Sequence, residues 1–424
     1  MSTEALNTSG SGAFTVTGYG STGTLTDTST AAISITLAAR ATGTLALGSN
    51  TTGTDVINAD ALADGTTVTM TGANDATVSL VTGDLVATTY TGALAVTVTG
   101  TGNTPIFTTG TASSSVASAG AVTVAAAALA DGQVLTTSGA GAFTITGLQA
   151  DLTDTSTAAQ TITVAAVPTI TLALGSDTIG TEAITASALV SGNTMTLTGA
   201  NDATLALGAG TLSAATYTGA LTVTAAATGV VTITLGTGDD SVNFTTAASA
   251  TKSVVISSGG ADTIKVSHAA SALTTITGFT AGAGAGADII DIVKADGSAL
   301  SVTTAAVSTT SQALTTAATD PGNAVILTGA SFQVSGVLTD VADNGVVETA
   351  IIAAGLTAAA STNKAMVVLD NGTDTGVYVL TRVGTDASTP ADTVLNIAGD
   401  FSVTHIVTLV GVADNSALVA AQFV

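Results

Sequence analysis

The chain has no cysteine and no tryptophan among its 424 residues. A disulfide scaffold and a thiolate metal site are therefore excluded. Only four prolines occur, and glycine has no three-residue period, which excludes a collagen-like triple helix. Charged residues make up 8% of the chain, where an ordinary soluble domain carries about 25%. Hydrophobic residues nevertheless reach 46%. That is the reverse of the low-hydrophobicity, high-charge composition that keeps a chain disordered. Thr, Ser or Gly interrupts every apolar run, far short of the roughly 20 residues that a helical membrane span needs.

Positive charge is the scarcest commodity. The cations are Arg40, Lys252, Lys265, Lys294, Lys364 and Arg382, against 29 acids, for a net charge of −23. Nucleic acid requires Lys and Arg to neutralise phosphates, so this surface repels it. Only Glu4, Glu182 and Glu348 among the acids are glutamates. Asp favours turns and calcium shells where Glu favours helices. The excess of Asp thus points to turns, to bound divalent cations, or to both.

Repeats dominate the first half. Residues 24–97 align without a gap onto 151–224, sharing LTDTSTAA (25–32 and 152–159), TGANDAT (71–77 and 198–204) and TYTGAL (89–94 and 216–221). A shorter unit of about 60–67 residues recurs at 61–77, 128–144 and 188–204. The segment ALNTSGSGAFT (5–15) reads as a further copy with its middle removed. A neighbouring chain could supply the missing strand by β-augmentation. Thr, Val, Ile and Ala alternate in runs such as TVTMT (67–71) and TITV (161–164), the period of a strand. Gly, Asn and Asp punctuate them as turns. Small side chains at most strand positions imply a thin core, which suits stacked coils that bury one another. The expected fold is all-β: a repetitive β-solenoid or β-helix-like array with a C-terminal β domain. Tandem β-sandwich modules are the alternative. Tyr90, Tyr217, Phe14 and Phe143 are expected in the core.

The expected organisation is one β-repeat module over 1–127, a second over 128–230, acidic Gly-rich turns over 231–300, and a C-terminal β domain over 301–424. In that last region AVILTG (324–329), KAMVVLD (364–370), TGVYVLTRV (375–383) and HIVTLVGV (405–412) read as strands. Short helices are expected near 340–360.

Three segments share one pattern: GTGDDSV (236–242), SGGADTI (258–264) and GAGADII (284–290). In each, a glycine is followed two positions later by Asp, and two later again by an aliphatic residue. Calcium takes about 6–8 hard oxygen ligands, and glycine lets the backbone bend so that its carbonyls can face an ion. The same segments also read as acidic β-turns that hold no metal. They resemble the glycine-rich nonapeptide of the calcium-binding repeats-in-toxin family, although Leu235, Ser257, Ser258 and Ala283 replace glycines of its repeat and the spacing is not nine. That resemblance implies Ca2+ as cofactor, with Asp239, Asp240, Asp262, Asp288 and Asp291 as carboxylate ligands. Gly236, Gly238, Gly260 and Gly286 would turn carbonyls toward it. The run ITGFTAGAGAGADIIDI (276–292) and the aliphatic C-terminal strands ending in AQFV resemble the uncleaved secretion region of type I secreted bacterial surface proteins, including S-layer proteins. The first residues show neither a basic n-region nor an apolar h-region of a signal peptide. The resemblance therefore implies an extracellular or cell-surface location reached without one.

Catalytic motifs are missing from the sequence. His268 and His405 sit in no H-E-x-x-H pattern, and neither a G-x-S-x-G elbow nor a P-loop appears. Both histidines read as ordinary surface or sheet residues. The expected function is structural rather than enzymatic: self-assembly into a lattice or filament, aided by calcium. A cell-surface polysaccharide is a further expected partner. A secreted adhesin or biofilm matrix protein is the alternative.

Overall fold

The computed structural model describes residues 5–293 apart from 21, 40–41, 49–52, 177–179, 227, 245–249, 258 and 270–271. It further describes 364–382, 401–418, 422–423 and a few isolated positions between 313 and 358. The protein is all-β, a parallel β-solenoid of about 12 turns. The expected fold class is the observed one, and the sandwich alternative falls. Two compact units divide the chain. One holds residues 1–189 and 193–205, the other 190–192 and 206–424. The division thus falls earlier than the change of sequence character near 230.

In the first unit, successive strands alternate between two parallel sheets, A and B. Strand β1 (Leu6–Gly10) pairs in sheet A with β3 (Thr24–Ser29). Strand β2 (Phe14–Tyr19) pairs in sheet B with β4 (Ile33–Leu37). One strand from each sheet and two corners make a coil, and each coil stacks on the last. The alternation read from the sequence is the reason for the stacking. In β4 every second residue, Ile33, Ile35 and Leu37, is buried, while Ser34 and Thr36 lie outward. In-register pairing then builds apolar columns between the sheets, such as Ile35–Ile57–Val78–Val96–Val116. Each such fully buried side chain contributes roughly 1.5–3 kcal/mol, so a thin core suffices because it is long. Tyr90, Tyr217 and Phe143 are buried as expected, but Phe14 is only half-buried.

The sequence repeat and the structural repeat differ. Thr24–Ser29 lies in sheet A, whereas its copy Asp151–Ser156 lies in sheet B. Likewise Thr67–Gly72 is in sheet A and its copy Thr194–Thr198 in sheet B. The long repeat therefore spans a half-integral number of coils. One strand with its following corner is the interchangeable element, and either sheet accepts it. Local chemistry is preserved across the exchange. Thr8 Oγ1 donates to Asp27 Oδ1 at 2.7 Å in one copy, and Thr137 Oγ1 donates to Asp154 Oδ1 at 2.6 Å in the other.

In the second unit, sheet A runs through Leu221–Ala225, Ser241–Phe244, Thr263–Ser267 and Ile289–Val293. Sheet B runs through Gly210–Ser213, Val231–Thr234, Lys252–Val255 and Thr274–Thr277. The strand Thr274–Thr277 pairs parallel with Phe401–Val410. Thr375–Arg382 pairs antiparallel with that strand, and Lys364–Asp370 pairs antiparallel with Thr375–Arg382. The C-terminal strands thus continue sheet B beyond Thr274–Thr277. Of the helices expected near 340–360, positions 347, 349 and 351 are described and are helical, Thr357–Ala358 forms a short strand, and the rest of that span lies outside the described residues. Among the described residues, no helix is long and apolar enough to cross a membrane.

Candidate functional site

The acidic glycine segments fall at the corner that enters the sheet A strands of the second unit. Val242, Ile264 and Ile290, the aliphatic ends of the three segments, are fully buried. They pair in register, Val242 with Ile264 and Ile264 with Ile290. This register brings Asp240, Asp262 and Asp288 onto three adjacent coils as a single column, each of them buried. Asp239 and Asp291 stand outside the column. Asp239 is exposed and its Oδ1 accepts the Ala261 amide at 2.8 Å. Asp291 forms an ion pair with Lys265 at 2.9 Å.

Hydrogen bonding shows what the column does. Asp240 Oδ1 accepts the Leu221 amide at 2.9 Å and its Oδ2 accepts the Gly236 amide at 3.2 Å. Asp262 Oδ1 accepts the amide of Asp240 at 2.8 Å. Asp288 Oδ1 accepts the amide of Asp262 at 3.0 Å, and its Oδ2 accepts the Thr280 amide at 2.6 Å. Each carboxylate therefore binds a corner amide of the preceding coil. A buried amide without an acceptor would cost about 1–3 kcal/mol, and these corners lie beyond the reach of the strand ladders. Within the column, Asp262 Oδ2 is the one carboxylate oxygen for which no hydrogen bond is seen among the described residues.

The glycines form a second column beside the first. A Cβ on Gly238 would lie 2.3 Å from Gly219 O, and one on Gly260 would lie 2.1 Å from Gly238 O. Gly286 is looser, since a Cβ there would meet Gly260 O at 3.4 Å, an ordinary contact distance. Gly260 and Gly286 also have φ near +84°, a conformation that side chains other than glycine disfavour. Gly236 packs against Tyr217 O. The glycines allow coils to stack closely at the corner, and their carbonyls face the next coil rather than a shared centre.

Calcium does not fit this column. Its carboxylate oxygens other than Asp262 Oδ2 are engaged by backbone amides, the Gly238 and Gly260 carbonyls face the next glycine of the stack, and Gly236 O accepts from Ser257 Oγ. Among the described residues, no group of three or more carboxylate or imidazole side chains is placed to hold a metal ion. The resemblance to calcium-binding turns thus reproduces the corner but not the ligand shell.

Electrostatics follow from the burial. Desolvation, with the Asp239 charge adding to it, pushes the Asp240 carboxyl up to about 6 against the pull of its amide donors. Asp262 is pushed up to about 7, first by desolvation and then by Asp240, Asp288 and Asp239. Asp288 is raised too, chiefly by desolvation, although the amides of Thr280 and Asp262 oppose it. Protonation within the column relieves the repulsion between stacked carboxylates.

Corner acceptors also occur in the first unit, where they were not singled out in the sequence. Asp55 Oδ1 accepts the Ile33 amide at 2.9 Å and its Oδ2 accepts Asn74 Nδ2 at 3.0 Å. Their repeat copies do the same: Glu182 accepts the Gln160 amide at 2.5 Å and Asn201 Nδ2 at 3.0 Å. Gln160 Oε1 in turn accepts the Phe143 amide at 2.9 Å. The conserved chemistry at matched repeat positions, Asp55 with Glu182 and Asn74 with Asn201, is the signal that could have revealed them.

The histidines are buried rather than at the surface. His405 stacks on Tyr378 with ring centroids 4.5 Å apart. Its Nε2 lies 2.9 Å from Val407 O, and burial lowers its basicity to about 4. Lys252 is also buried, with Nζ donating to the carbonyls of Ala226 and Gly229 at 2.8 Å each.

Comparison with protein families, with curated proteins and with solved structures gave no match.

Proposed function

We propose that the protein is a structural, self-associating protein of the cell exterior, forming a lattice or filament whose growth depends on divalent cations. The observation that carries this reading is the distribution of charge. Asp60, Asp64, Asp75, Asp131, Asp202 and Asp239 are exposed. Of the cations, Lys252 is buried and Lys265 is paired with Asp291. The acidic surface is thus left with little of its own compensation, and copies at −23 repel one another. Calcium between exposed carboxylates of neighbouring copies would remove that barrier. In this reading the ion sits between molecules, on Asp60, Asp131 and their like, and not in the buried column.

The outer faces support the same reading. They carry small uncharged side chains in register, such as Thr123–Thr144–Thr161 and Thr232–Ser253–Thr275. Such flat, repetitive faces offer the same contact at every coil. Electron microscopy and light scattering with calcium, and again with a chelator, test the proposal. Ordered assemblies are expected in calcium and dispersal in chelator. Identical behaviour in both would refute the role of the ion.

A further inference from the structure

We infer that Asn371 is a site of self-modification: the turn that holds it promotes attack of the Gly372 nitrogen on the Asn371 side chain, with loss of ammonia. The site lies in the hairpin that joins Lys364–Asp370 to Thr375–Arg382. Two asparagines of the sequence precede glycine, Asn344 and Asn371, and Asn344 lies outside the described residues. Glycine matters because the attacking nitrogen belongs to the residue after the asparagine, where a Cβ would crowd the approach. Gly372 is exposed and has φ +81°, so the turn keeps it in a conformation that other residues disfavour. Asn371 Oδ1 accepts the amides of Thr373 at 2.9 Å and of Asp374 at 2.8 Å. Those bonds fold the side chain back along the turn. Two donors on one carbonyl oxygen also withdraw electrons from Cγ and stabilise the negative charge that attack places on that oxygen. The Gly372 amide in turn donates to Asp370 Oδ1 at 3.1 Å. A carboxylate so placed can take the amide proton as the nitrogen attacks.

Nucleophile, polarised carbonyl and base thus meet in one turn. The turn is also held in place, since the Asn371 amide donates to Asp374 O at 3.0 Å and Asp374 Oδ1 accepts the Gly411 amide at 2.8 Å. In the reaction, a bond forms between Gly372 N and Asn371 Cγ, and the proton of that nitrogen passes to Asp370. The bond from Cγ to the side-chain nitrogen then breaks, and that nitrogen leaves with the proton as ammonia. The cyclic imide takes up water and opens at either carbonyl, to an aspartyl or an isoaspartyl residue. Either product adds a carboxylate between Asp370 and Asp374, and the isoaspartyl form lengthens the main chain of the turn by a methylene. Asn58 supplies the contrast. It is exposed and its Oδ1 accepts the Asp60 amide at 3.1 Å, but the residue that follows is the buried Ala59. Asn58 therefore has the folded-back side chain without the unhindered nucleophile.

The full chain is incubated at neutral pH, natively and in denaturant, and samples taken over time are digested and mapped by mass spectrometry. The peptide carrying Asn371 is expected to gain the mass of an amino group exchanged for hydroxyl, with part of the product isoaspartyl. The peptide carrying Asn58 is expected to stay unchanged. Conversion at Asn371 is expected to run faster in the native chain than in denaturant, because only the fold brings Asp370, Thr373 and Asp374 to bear. Asp370→Asn keeps an acceptor that takes up no proton, and should slow the native reaction by about 100-fold, the lower end of what a positioned base supplies. A native chain that converts only at Asn344, or not at all, overturns the site. Conversion slower natively than in denaturant shows that the turn protects Asn371, which overturns the inference as well. An Asp370→Asn chain that folds and reacts at the wild-type rate overturns the role of Asp370. Should that variant fail to fold, the native and denatured rates of the wild type still decide. None of these outcomes depends on the assembly proposed above.

Discussion

Both units face the same problem at their corners, and they solve it with different chemistry. In the first, acids alternate with amides: Asp55 meets Asn74, and Glu182 meets Gln160 and Asn201. Each of these carboxylates accepts from a backbone amide and from an asparagine side chain. In the second, Asp240, Asp262 and Asp288 follow one another with no amide side chain between them. Backbone amides are satisfied equally well in both. The difference lies in charge, since stacked buried carboxylates cannot all ionise cheaply. Stacking carboxylates directly on one another makes such a ladder sensitive to pH.

The largest expected effect tests the glycine column that accompanies the carboxylates. Gly260→Ala would place Cβ 2.1 Å from Gly238 O at a φ of +83°. It should destabilise its unit by more than ~2 kcal/mol, measured by denaturant unfolding. Gly65→Ala in the first unit has positive φ but open space around the Cβ, and should cost only about 1 kcal/mol. Next, Asp262→Leu strands the Asp240 amide and should cost about 1–3 kcal/mol. Hydrogen exchange at the Asp240 amide checks the loss locally.

A third prediction concerns pH. The folded values of about 6 for Asp240 and about 7 for Asp262 lie above the ordinary 3.8. The folded column thus holds protons that the unfolded chain has released. Its contribution to stability is complete below about 3.8 and is lost as pH rises through about 6 and 7. Amides of residues 231–293 should exchange faster at pH 8 than at pH 5 after correction for intrinsic rates. Asp262→Asn, which keeps the acceptor without the charge, should flatten that dependence. A steep profile in the variant would show that another group titrates. The smallest effect is expected at Tyr90, whose hydroxyl donates to Asn74 O at a first-unit corner. Tyr90→Phe should cost about 1 kcal/mol, read from thermal unfolding.

Much of the fold was legible because strand alternation is a local property. TVTMT (67–71) can bury Val68 and Met70 only by turning its threonines outward, whichever sheet holds it. The glycine–aspartate corners were also legible as corners, and the register of Val242, Ile264 and Ile290 follows from them. Their chemistry was not. Spacings of 22 and 26 residues do not reveal that an Asp will meet the amide of the previous Asp rather than an ion. The half-buried acceptor Gln133 and the buried acceptor Gln160 were missed for a related reason. Each serves an amide one coil earlier, Ser113 and Phe143, a partner that no local pattern marks.

The sequence by itself determined that this chain forms short strands of small and β-branched residues, punctuated by glycine and aspartate, with a surface that repels its own copies. Those properties depend on side-chain size, branching and charge, which act within a few residues or over the whole molecule. Only the tertiary structure decided which sheet each repeat enters and which carboxylates are consumed by amides. Those outcomes depend on what the neighbouring coil presents some twenty residues away. Stacking brings such residues within 3 Å, and the linear order of the chain does not.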